Sequence, residues 1–416
     1  MKILVIGSGA REHAITWKLK QSPKVDELFV APGNAGIADI ATCVAINADD
    51  INGLYEFAII ERIDLTIVGP EVPLVMGIVD LFKNGGLRIF GPDKQASLFE
   101  GSKSYSKAFM EEHHIPTAAY KEFTNLERAK ENVAAFGFPL VIKADGLAAG
   151  KGVVICESKE QAKATLDDMM KDKIFGDAGE KVVFEEFLTG IEASVLCFVD
   201  GKTIKPMASA QDYKKAYDND EGLNTGGMGA YSPSRLFDET FEAYIDEKIL
   251  QPFLLGTQKN GIDYRGVIFI GLMIKDNKAK VIEFNCRLGD PETQVVLPRL
   301  KTDLIDIVDA CIDGTLDQIE MEWSKEEAVG VVMASGGYPG PYKKGEVITG
   351  LDHTESLVFH AGTTFKDNEI VTNGGRVLTV VTLSNHLSDA RIHTYKDVEK
   401  IRFNQMMYRT DIAKPQ

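Results

Sequence analysis

Oxygen donors and a guanidinium crowd together in the run Val281-Ile282-Glu283-Phe284-Asn285-Cys286-Arg287-Leu288-Gly289-Asp290-Pro291-Glu292, at the end of an apolar strand. Alternate side chains of an extended strand share a face, so Glu283 and Asn285 are expected to point the same way as Val281, with Ile282, Phe284 and Cys286 turned into a core. A carboxylate beside a carboxamide suits a hard cation such as Mg²⁺, which takes one or two protein ligands and fills its shell with water and nucleotide phosphates. Arg287 would then offer a planar fork of donors to a transferring phosphoryl group. Alone, a Glu-x-Asn pair reads better as the solvated face of an amphipathic strand. Companion motifs tip the balance toward a metal and phosphate site.

The first companion is Phe138-Pro139-Leu140-Val141-Ile142-Lys143-Ala144-Asp145-Gly146-Leu147-Ala148-Ala149-Gly150-Lys151-Gly152-Val153-Val154-Ile155, which reads as strand, glycine-rich loop, strand. It is not a Walker loop: the spacing to Gly-Lys is one residue short, Gly152 stands where Ser or Thr should follow the lysine, and a strand comes next. It fits a flap over phosphates, with Lys143 as a point charge and the loop 146–152 supplying N–H donors and Lys151. An ordinary hairpin with solvated lysines fits this segment equally well. Next, Lys181-Val182-Val183-Phe184-Glu185-Glu186-Phe187-Leu188 ends a strand in acidic residues. Its carboxylates suit ribose or adenine and the backbone at Phe187 and Leu188 suits a base edge, although an exposed turn is the simpler reading.

These residues need elements to hold them. Strands at 2–6, 27–30, 65–68 and 87–90, with a helix from about Arg11, predict a parallel sheet with binding loops at its carboxyl ends. Those ends carry Gly7-Ser8-Gly9-Ala10-Arg11-Glu12, Pro32-Gly33-Asn34-Ala35-Gly36, Gly69-Pro70-Glu71 and Gly91-Pro92-Asp93. Glycine-rich turns there let N–H groups approach an anion. A dinucleotide site is disfavoured, because Glu12 occupies the place of the third glycine and no acidic residue ends the second strand. From about Gly101 a charged helix carrying Lys103, Tyr105 and Lys107 opens a new domain, and Ile115-Pro116-Thr117 ends it. A last segment starts near Ala328 with an apolar strand at 329–334, turns at Gly336-Gly337-Tyr338-Pro339-Gly340 and returns through 375–381, which predicts a small mixed sheet closing the groove.

Composition bounds the rest. With 416 residues and 44% hydrophobic content the chain is globular, of roughly two to four domains. A formal net charge of −16 without a long basic run gives nucleic acid or an anionic membrane little to bind. No signal peptide or membrane span is legible, so the expectation is a cytoplasmic protein. The 5 cysteines are scattered without a Cys-x-x-Cys pair and the 7 histidines lack zinc-ligand spacing, which predicts free thiols and no zinc site.

The order of parts, from the Gly-Ser-Lys helix through the Lys-Ala-Asp-Gly-Leu-Ala-Ala-Gly-Lys-Gly flap and the Glu-Glu-Phe-Leu linker to Glu-Phe-Asn-Cys-Arg-Leu-Gly-Asp-Pro-Glu, resembles the ATP-grasp ligases. Within them it is similar to the phosphoribosylamine–glycine ligase (glycinamide ribonucleotide synthetase) family, over essentially the whole chain. The resemblance is specific at Asn224-Thr225-Gly226-Gly227-Met228-Gly229-Ala230-Tyr231-Ser232-Pro233 and at the Gly289-Asp290-Pro291-Glu292 turn. Departures are small: Ala10 where a second Gly often stands, and Cys286 and Leu288 in place of the usual residues.

The resemblance implies a multidomain α/β and α+β chain with the ATP-grasp fold: a Rossmann-like substrate domain at 1–101, an ATP-grasp domain at 102–327 with a flap subdomain at about 121–190, and a C-terminal mixed-sheet domain at 328–416. It implies that glycine, ATP and 5-phosphoribosylamine give glycinamide ribonucleotide, ADP and phosphate through a glycyl phosphate, in purine biosynthesis. Another carboxylate–amine ligase of purine metabolism is the near alternative; a nucleotide sensor and an oxidoreductase are distant ones. By the match Glu283 and Asn285 hold Mg²⁺ or Mn²⁺, and Arg287, Lys143 and Asp290 are catalytic. Lys103, Lys143, Gly150, Lys151, Gly152, Glu185, Glu186, Phe187, Leu188 and Glu192 bind ATP. Gly9, Arg11, Asn34, Gly36, Glu71, Asp212, Lys214, Asn224, Gly226, Gly227, Met228, Gly229 and Arg287 line the substrate groove, although Arg11 reads equally as a helix-surface residue, Lys214 as a solvated lysine and Asn224 as a turn cap. The expected form is a monomer or weak dimer acting on small molecules.

Overall fold

The strands Thr42–Cys43, Glu27–Pro32, Lys2–Gly7, Leu65–Val68 and Ile89–Phe90 lie side by side in that order, every pair parallel. The computed structural model describes residues 1–148 and 152–414, so Ala149 and the expected ATP-loop residues Gly150 and Lys151 lie outside the described residues. The first strand has the second on one side and Leu65–Val68 on the other, which opens a crevice at the carboxyl ends where the winding reverses. The last strand is shorter than the sequence suggests because Leu87 is still closing the preceding helix, its N–H bonding to Phe82 O at 2.9 Å.

Two four-stranded antiparallel sheets follow. One runs Ile204–Pro206, Ile191–Asp200, Arg265–Lys275, Lys278–Asn285. The other, the flap, runs Tyr120–Phe123, Val182–Glu186, Leu140–Ala144, Val153–Cys156 over its own core of Phe123, Leu140, Ile142 and Phe184. The two are joined where Val281 N–H bonds to Pro116 O and Thr117 Oγ1 donates to Val281 O, each at 2.7 Å.

The strand Lys278–Asn285 departs from simple alternation. Gly271 pairs with Glu283 but Leu272 pairs with Val281, so Ile282 is an extra residue, a β-bulge. The bulge shifts the phase by one, and Val281 joins Phe284 and Cys286 in one core at 0%, 2% and 1% exposure instead of sharing a face with Glu283. Ile282 stays outside that core, and its carbonyl accepts from Lys143 Nζ at 3.3 Å. Glu283 and Asn285 share the opposite face, as alternation requires.

The last sheet orders Gln211–Asp212, Gly229–Ser232, Glu327–Ser335, Arg376–Ser384 and Leu357–His360, with Met406–Met407 against Glu327–Ser335, and every pairing is antiparallel. Its first two strands come from the middle of the chain. The Gly226–Gly229 stretch is thereby anchored to residues a hundred positions downstream, with Val332 N–H bonding to Met228 O at 3.0 Å. One core joins the parallel, central and last sheets, combining Ile3 and Val5, Leu196 and Phe198, Leu304 and Ile305, and Val381, while the flap keeps its own. Burial of such side chains contributes about 1.5–3 kcal/mol each and holds the segments against one another.

Candidate functional site

Three lysines and a carboxylate make the floor of the groove under the flap. Lys103 opens the helix Lys103–Glu112, where Ser102 Oγ caps Tyr105 N–H at 3.2 Å. Its backbone N–H bonds to Asp145 O at 3.1 Å and its Nζ to Gly146 O at 3.3 Å, which ties the helix to the base of the flap loop. Gly152 closes that base, its carbonyl accepting from Ala144 N–H at 2.8 Å. Lys143 is buried with Nζ 2.9 Å from Glu185 Oε1, and Lys107, one turn after Lys103, is buried with Nζ 2.9 Å from Glu185 Oε2. Glu185 is thus a clamp between two ammonium groups. Burial lowers the Lys107 pKa to about 8 despite Glu185, and burial likewise lowers Lys103 although Glu283 opposes it. Poorly solvated ammonium groups attract a polyphosphate more strongly than solvated ones.

Glu283 is the centre of this charge. Its carboxylate has no hydrogen bond or ion pair among the described residues, and burial alone would favour its neutral form. Lys214, Lys143, Lys103 and Arg287 outweigh burial and hold its pKa below the ordinary carboxylate range. Asn285, at 9% exposure, accepts from Arg287 through Oδ1 at 3.1 Å. The donor set, a free carboxylate beside a carboxamide oxygen, fits a hard divalent cation, and the lysine and arginine heads around it can meet polyphosphate oxygens although Lys143, Lys214 and Arg287 are each also paired with a carboxylate. Among the described residues no cluster of three or more His, Cys, Asp or Glu is placed to hold a metal, so any cation here takes most of its ligands from water and phosphate.

Arg287 is held rather than free. Its Nε lies 3.3 Å from Glu71 Oε2 and an η nitrogen 3.1 Å from Glu100 Oε1, and it also donates to Leu288 O at 3.3 Å. Glu100 accepts Cys286 N–H at 2.7 Å, and burial pushes its carboxyl up to about 7 against the pull of Arg287. Burial acts the same way on Glu71, but there Arg287 and Arg11 prevail and its pKa falls.

The parallel sheet supplies the opposite wall. Arg11 is not a helix-surface residue: it is 7% exposed, its Nε 2.6 Å from Glu12 Oε1 and an η nitrogen 3.1 Å from Leu288 O. Glu12 folds back under the first glycine turn and takes the Gly9 N–H at 2.6 Å, so the turn already holds an anion of its own. That is the physical reason it makes a poor dinucleotide cradle. Asn34 spends its side chain on structure, donating to Ser8 O at 2.8 Å and His360 O at 2.7 Å and accepting from Ile37 N–H at 3.0 Å. Gly36 lies against two rings; a Cβ there would sit 2.4 Å from His360 and 2.8 Å from His13.

Asp290 joins the walls. Arg376, from the last segment, donates to Asp290 Oδ2 at 2.9 Å, Asp290 O at 3.0 Å and Gly226 O at 2.8 Å, and Gln294 Nε2 donates to Asp290 Oδ1 at 2.7 Å. Burial favours protonation of Asp290, but Arg376 and Arg11 hold its pKa low. Gly227 has φ +116°, and a Cβ there would sit 2.3 Å from Pro291 Cδ, so only glycine lets this loop press on the turn. Met228 is fully buried and Gly229 begins the strand Gly229–Ser232. Lys214 is not simply solvated: it lies 3.2 Å from Glu192, and although burial opposes its charge, Asp212, Glu192 and Glu283 raise its pKa. Asn224 is exposed, opposite Lys215 in a small hairpin. Glu186 pairs with Lys280, Phe187 is exposed and Leu188 half-buried at the edge of the flap.

Sequence reasoning did not assign roles to Lys107, Glu100, Arg376, Glu292 or Gln294. Lys107 could have been found one helical turn beyond Lys103, and Glu292 and Gln294 beside the Gly-Asp-Pro turn. Arg376 carries no local signal, because its partners are 86 and 150 residues away.

Three family models together match nearly the whole chain: the phosphoribosylglycinamide synthetase N domain over residues 1–100, its ATP-grasp (A) domain over 101–293 and its C domain over 328–415. A phosphoribosylamine–glycine ligase of Caldanaerobacter subterraneus is 50% identical over 414 residues, covering 99% of each chain. The crystal structure of the phosphoribosylamine–glycine ligase from Thermotoga maritima superposes with a TM-score of 0.88 at 33% identity, covering 99% of this chain and 100% of that one. The biotin carboxylase of Campylobacter jejuni, solved as a beta-gamma-ATP complex, shares the fold alone, with a TM-score of 0.76 at 13% identity over 99% of this chain and 94% of that one.

Proposed function

The chain belongs to the phosphoribosylglycinamide synthetase family, and from that premise we propose how its residues divide the work. The protein is an ATP-dependent phosphoribosylamine–glycine ligase of purine biosynthesis. A carboxylate is a poor acyl donor, so the γ-phosphoryl group of ATP passes to glycine and the amine of 5-phosphoribosylamine then displaces phosphate from the glycyl phosphate. No side-chain nucleophile is required; positioning and charge neutralisation carry the reaction.

The observation that carries the assignment of roles is the Glu283 carboxylate, unpartnered among the described residues and within the field of Lys103, Lys143, Lys214 and Arg287. Lys103 and Lys143 contact the phosphates. Glu185 aims Lys143 from below and is itself held by Lys107, so it serves the phosphate site in preference to the base. Glu283 and Asn285 would hold the divalent cation, Mg²⁺ or Mn²⁺, which when bound would withdraw charge from the phosphates. Arg287, held in place by Glu71 and Glu100, faces the charge that develops on the transferring group. Glu186, Phe187, Leu188 and Glu192 border the adenosine side. Gly9, Arg11, Glu71, Asp212, Lys214, Gly226, Gly227 and Gly229 border the substrates, while Asn34, Gly36, Met228 and Asn224 shape the walls without touching ligand.

The domain division at 101 and 327 stands as a proposal, with the qualification that Gln211–Asp212 and Gly229–Ser232 belong to the sheet of the last segment. We also propose a cytoplasmic monomer or weak dimer; all 5 cysteines are free, which suits a reducing compartment. Among the described residues no helix is long and apolar enough to cross a membrane.

The test is ADP release with ATP, Mg²⁺ and glycine, with and without phosphoribosylamine generated in the cuvette. Release that depends on both glycine and the amine is expected. Release with a different carboxylate or amine would discard the glycine and phosphoribosylamine roles.

A further inference from the structure

Two buried acceptors beside the metal and phosphate groups have nothing to accept. Asp212 is 9% exposed and Gln294 is 0% exposed, yet neither Asp212 Oδ1 nor Gln294 Oε1 has a hydrogen-bond partner among the described residues. The Gln294 amide cannot be turned to relieve this. Its Nε2 donates to Asp290 Oδ1 at 2.7 Å, and reversing the group would set carbonyl oxygen against carboxylate. An unmatched buried acceptor costs about 1–3 kcal/mol, so two of them in one neighbourhood are best explained by a missing donor.

Glu292 links the two: it lies two residues before Gln294, and its carboxyl feels the charge of Asp212. It is 2% exposed, and its Oε1 accepts from Ser194 Oγ at 3.2 Å. Ser194 pairs with Gly271, and Gly271 with Glu283, so one row across the sheet leads from Glu292 to the carboxylate assigned to the metal. Burial and the neighbouring Asp212 push the Glu292 carboxyl up to about 8, which marks a site short of positive charge even with Lys214 present. What is missing is a donor with several hydrogens, no acceptor and a positive charge.

We propose that Asp212, Glu292 and Gln294 form the subsite that receives the primary ammonium group of the amino-acid substrate. The inference rests on the function proposed above and adds to it the residues that recognise the amine end. With the ammonium held there, the carboxylate of an α-amino acid, two bonds away, is directed along the row toward Glu283 and Arg287. The same anchoring rejects carboxylates without an ammonium group, because they would leave both acceptors unmatched in a buried place.

Gln294→Met removes one acceptor and Asp212→Asn replaces a carboxylate by a neutral group of the same shape. KM for glycine, ATP and the amine is measured for both, together with direct calorimetric binding of glycine and of glycolate to the ADP-loaded protein. The expected result is a tenfold or greater rise in glycine KM and a matching loss of glycine binding in each variant, an ATP KM within twofold of wild type, and no glycolate binding by wild type. Should Gln294→Met fail to fold, Asp212→Asn carries the test alone. Glycine KM unchanged within twofold in a folded variant, or equal losses for glycine and ATP, would overturn the inference. Wild-type protein that releases no ADP with glycine would instead sink the functional reading itself, a result the wild-type control isolates.

Discussion

Arg376 is the residue on which the geometry makes its sharpest demand. It comes from the last segment and makes three hydrogen bonds to the Gly-Asp-Pro turn and the Gly226 carbonyl, at 2.8, 2.9 and 3.0 Å. Its side chain is 22% exposed and that of Asp290 18%, so the pair is mostly out of water. Replacing Arg376 by Met leaves Asp290 with Gln294 and the more distant Arg11. Removing one partner of a buried pair costs about 3–5 kcal/mol, and the partial exposure here brings the expectation to about 2–3 kcal/mol. Asp290→Asn can keep the Oδ1 acceptor for Gln294 but loses the charge and turns an amide NH2 toward Arg376 in place of Oδ2, at about 1–3 kcal/mol. The double variant has no stranded charge, so its cost should fall short of the sum of the singles by about 1–2 kcal/mol. A chain of this size does not unfold in one step, so the assay is amide hydrogen exchange over Gly229–Ser232 and Glu327–Ser335, which reads local opening free energy. Additive costs within about 0.5 kcal/mol would refute the claim that this pair docks the substrate loop on the turn.

Glu283→Gln should fold normally and lower kcat by roughly a hundredfold or more, with partial recovery at high Mg²⁺, through lost charge on the metal; turnover near normal with unchanged metal dependence would remove Glu283 from the metal site. His13 and His360 are buried side by side, His360 N–H donating to His13 Nδ1 at 2.9 Å, and burial holds their pKa values down to about 3 and about 4. The unfolded chain binds more protons between those values and about 6.5, so stability should fall as pH drops through that window, by up to about 1.4 kcal/mol per pH unit for each ring. The double variant His13→Gln, His360→Gln should flatten the decline between pH 6.5 and 4.5, and an unaltered slope would show that other groups cause it. Gly227→Ala should raise the KM of the amine several-fold while leaving that of ATP alone, since a Cβ meets Pro291 and the φ of +116° strains any other residue; equal kinetics with both substrates would mean the loop tolerates the shift.

How much of this was legible without coordinates follows from where each signal resides. The parallel sheet, the flap strands and the Glu283, Asn285, Arg287 constellation are local patterns of periodicity and residue type, read within a dozen positions. The bulge at Ile282 was not legible. It depends on the register against Arg265–Lys275, and alternation within one strand carries no record of its partner. Arg11 illustrates the same limit, since its burial comes from packing under Leu288 O and not from its own helix.

The sequence therefore carried the candidate chemistry: which atoms could hold a cation and which lysines could meet phosphate. Tertiary structure decided which of those atoms are free to act. Among the described residues Glu283 is left unpaired while Glu185 is consumed by Lys107 and Lys143, and Asn34 is spent on bridging Ser8 to His360. Residue type sets what a group can bind, but its remaining hydrogen-bonding capacity depends on neighbours brought in from elsewhere in the chain, and those arrive only when the sheets pack.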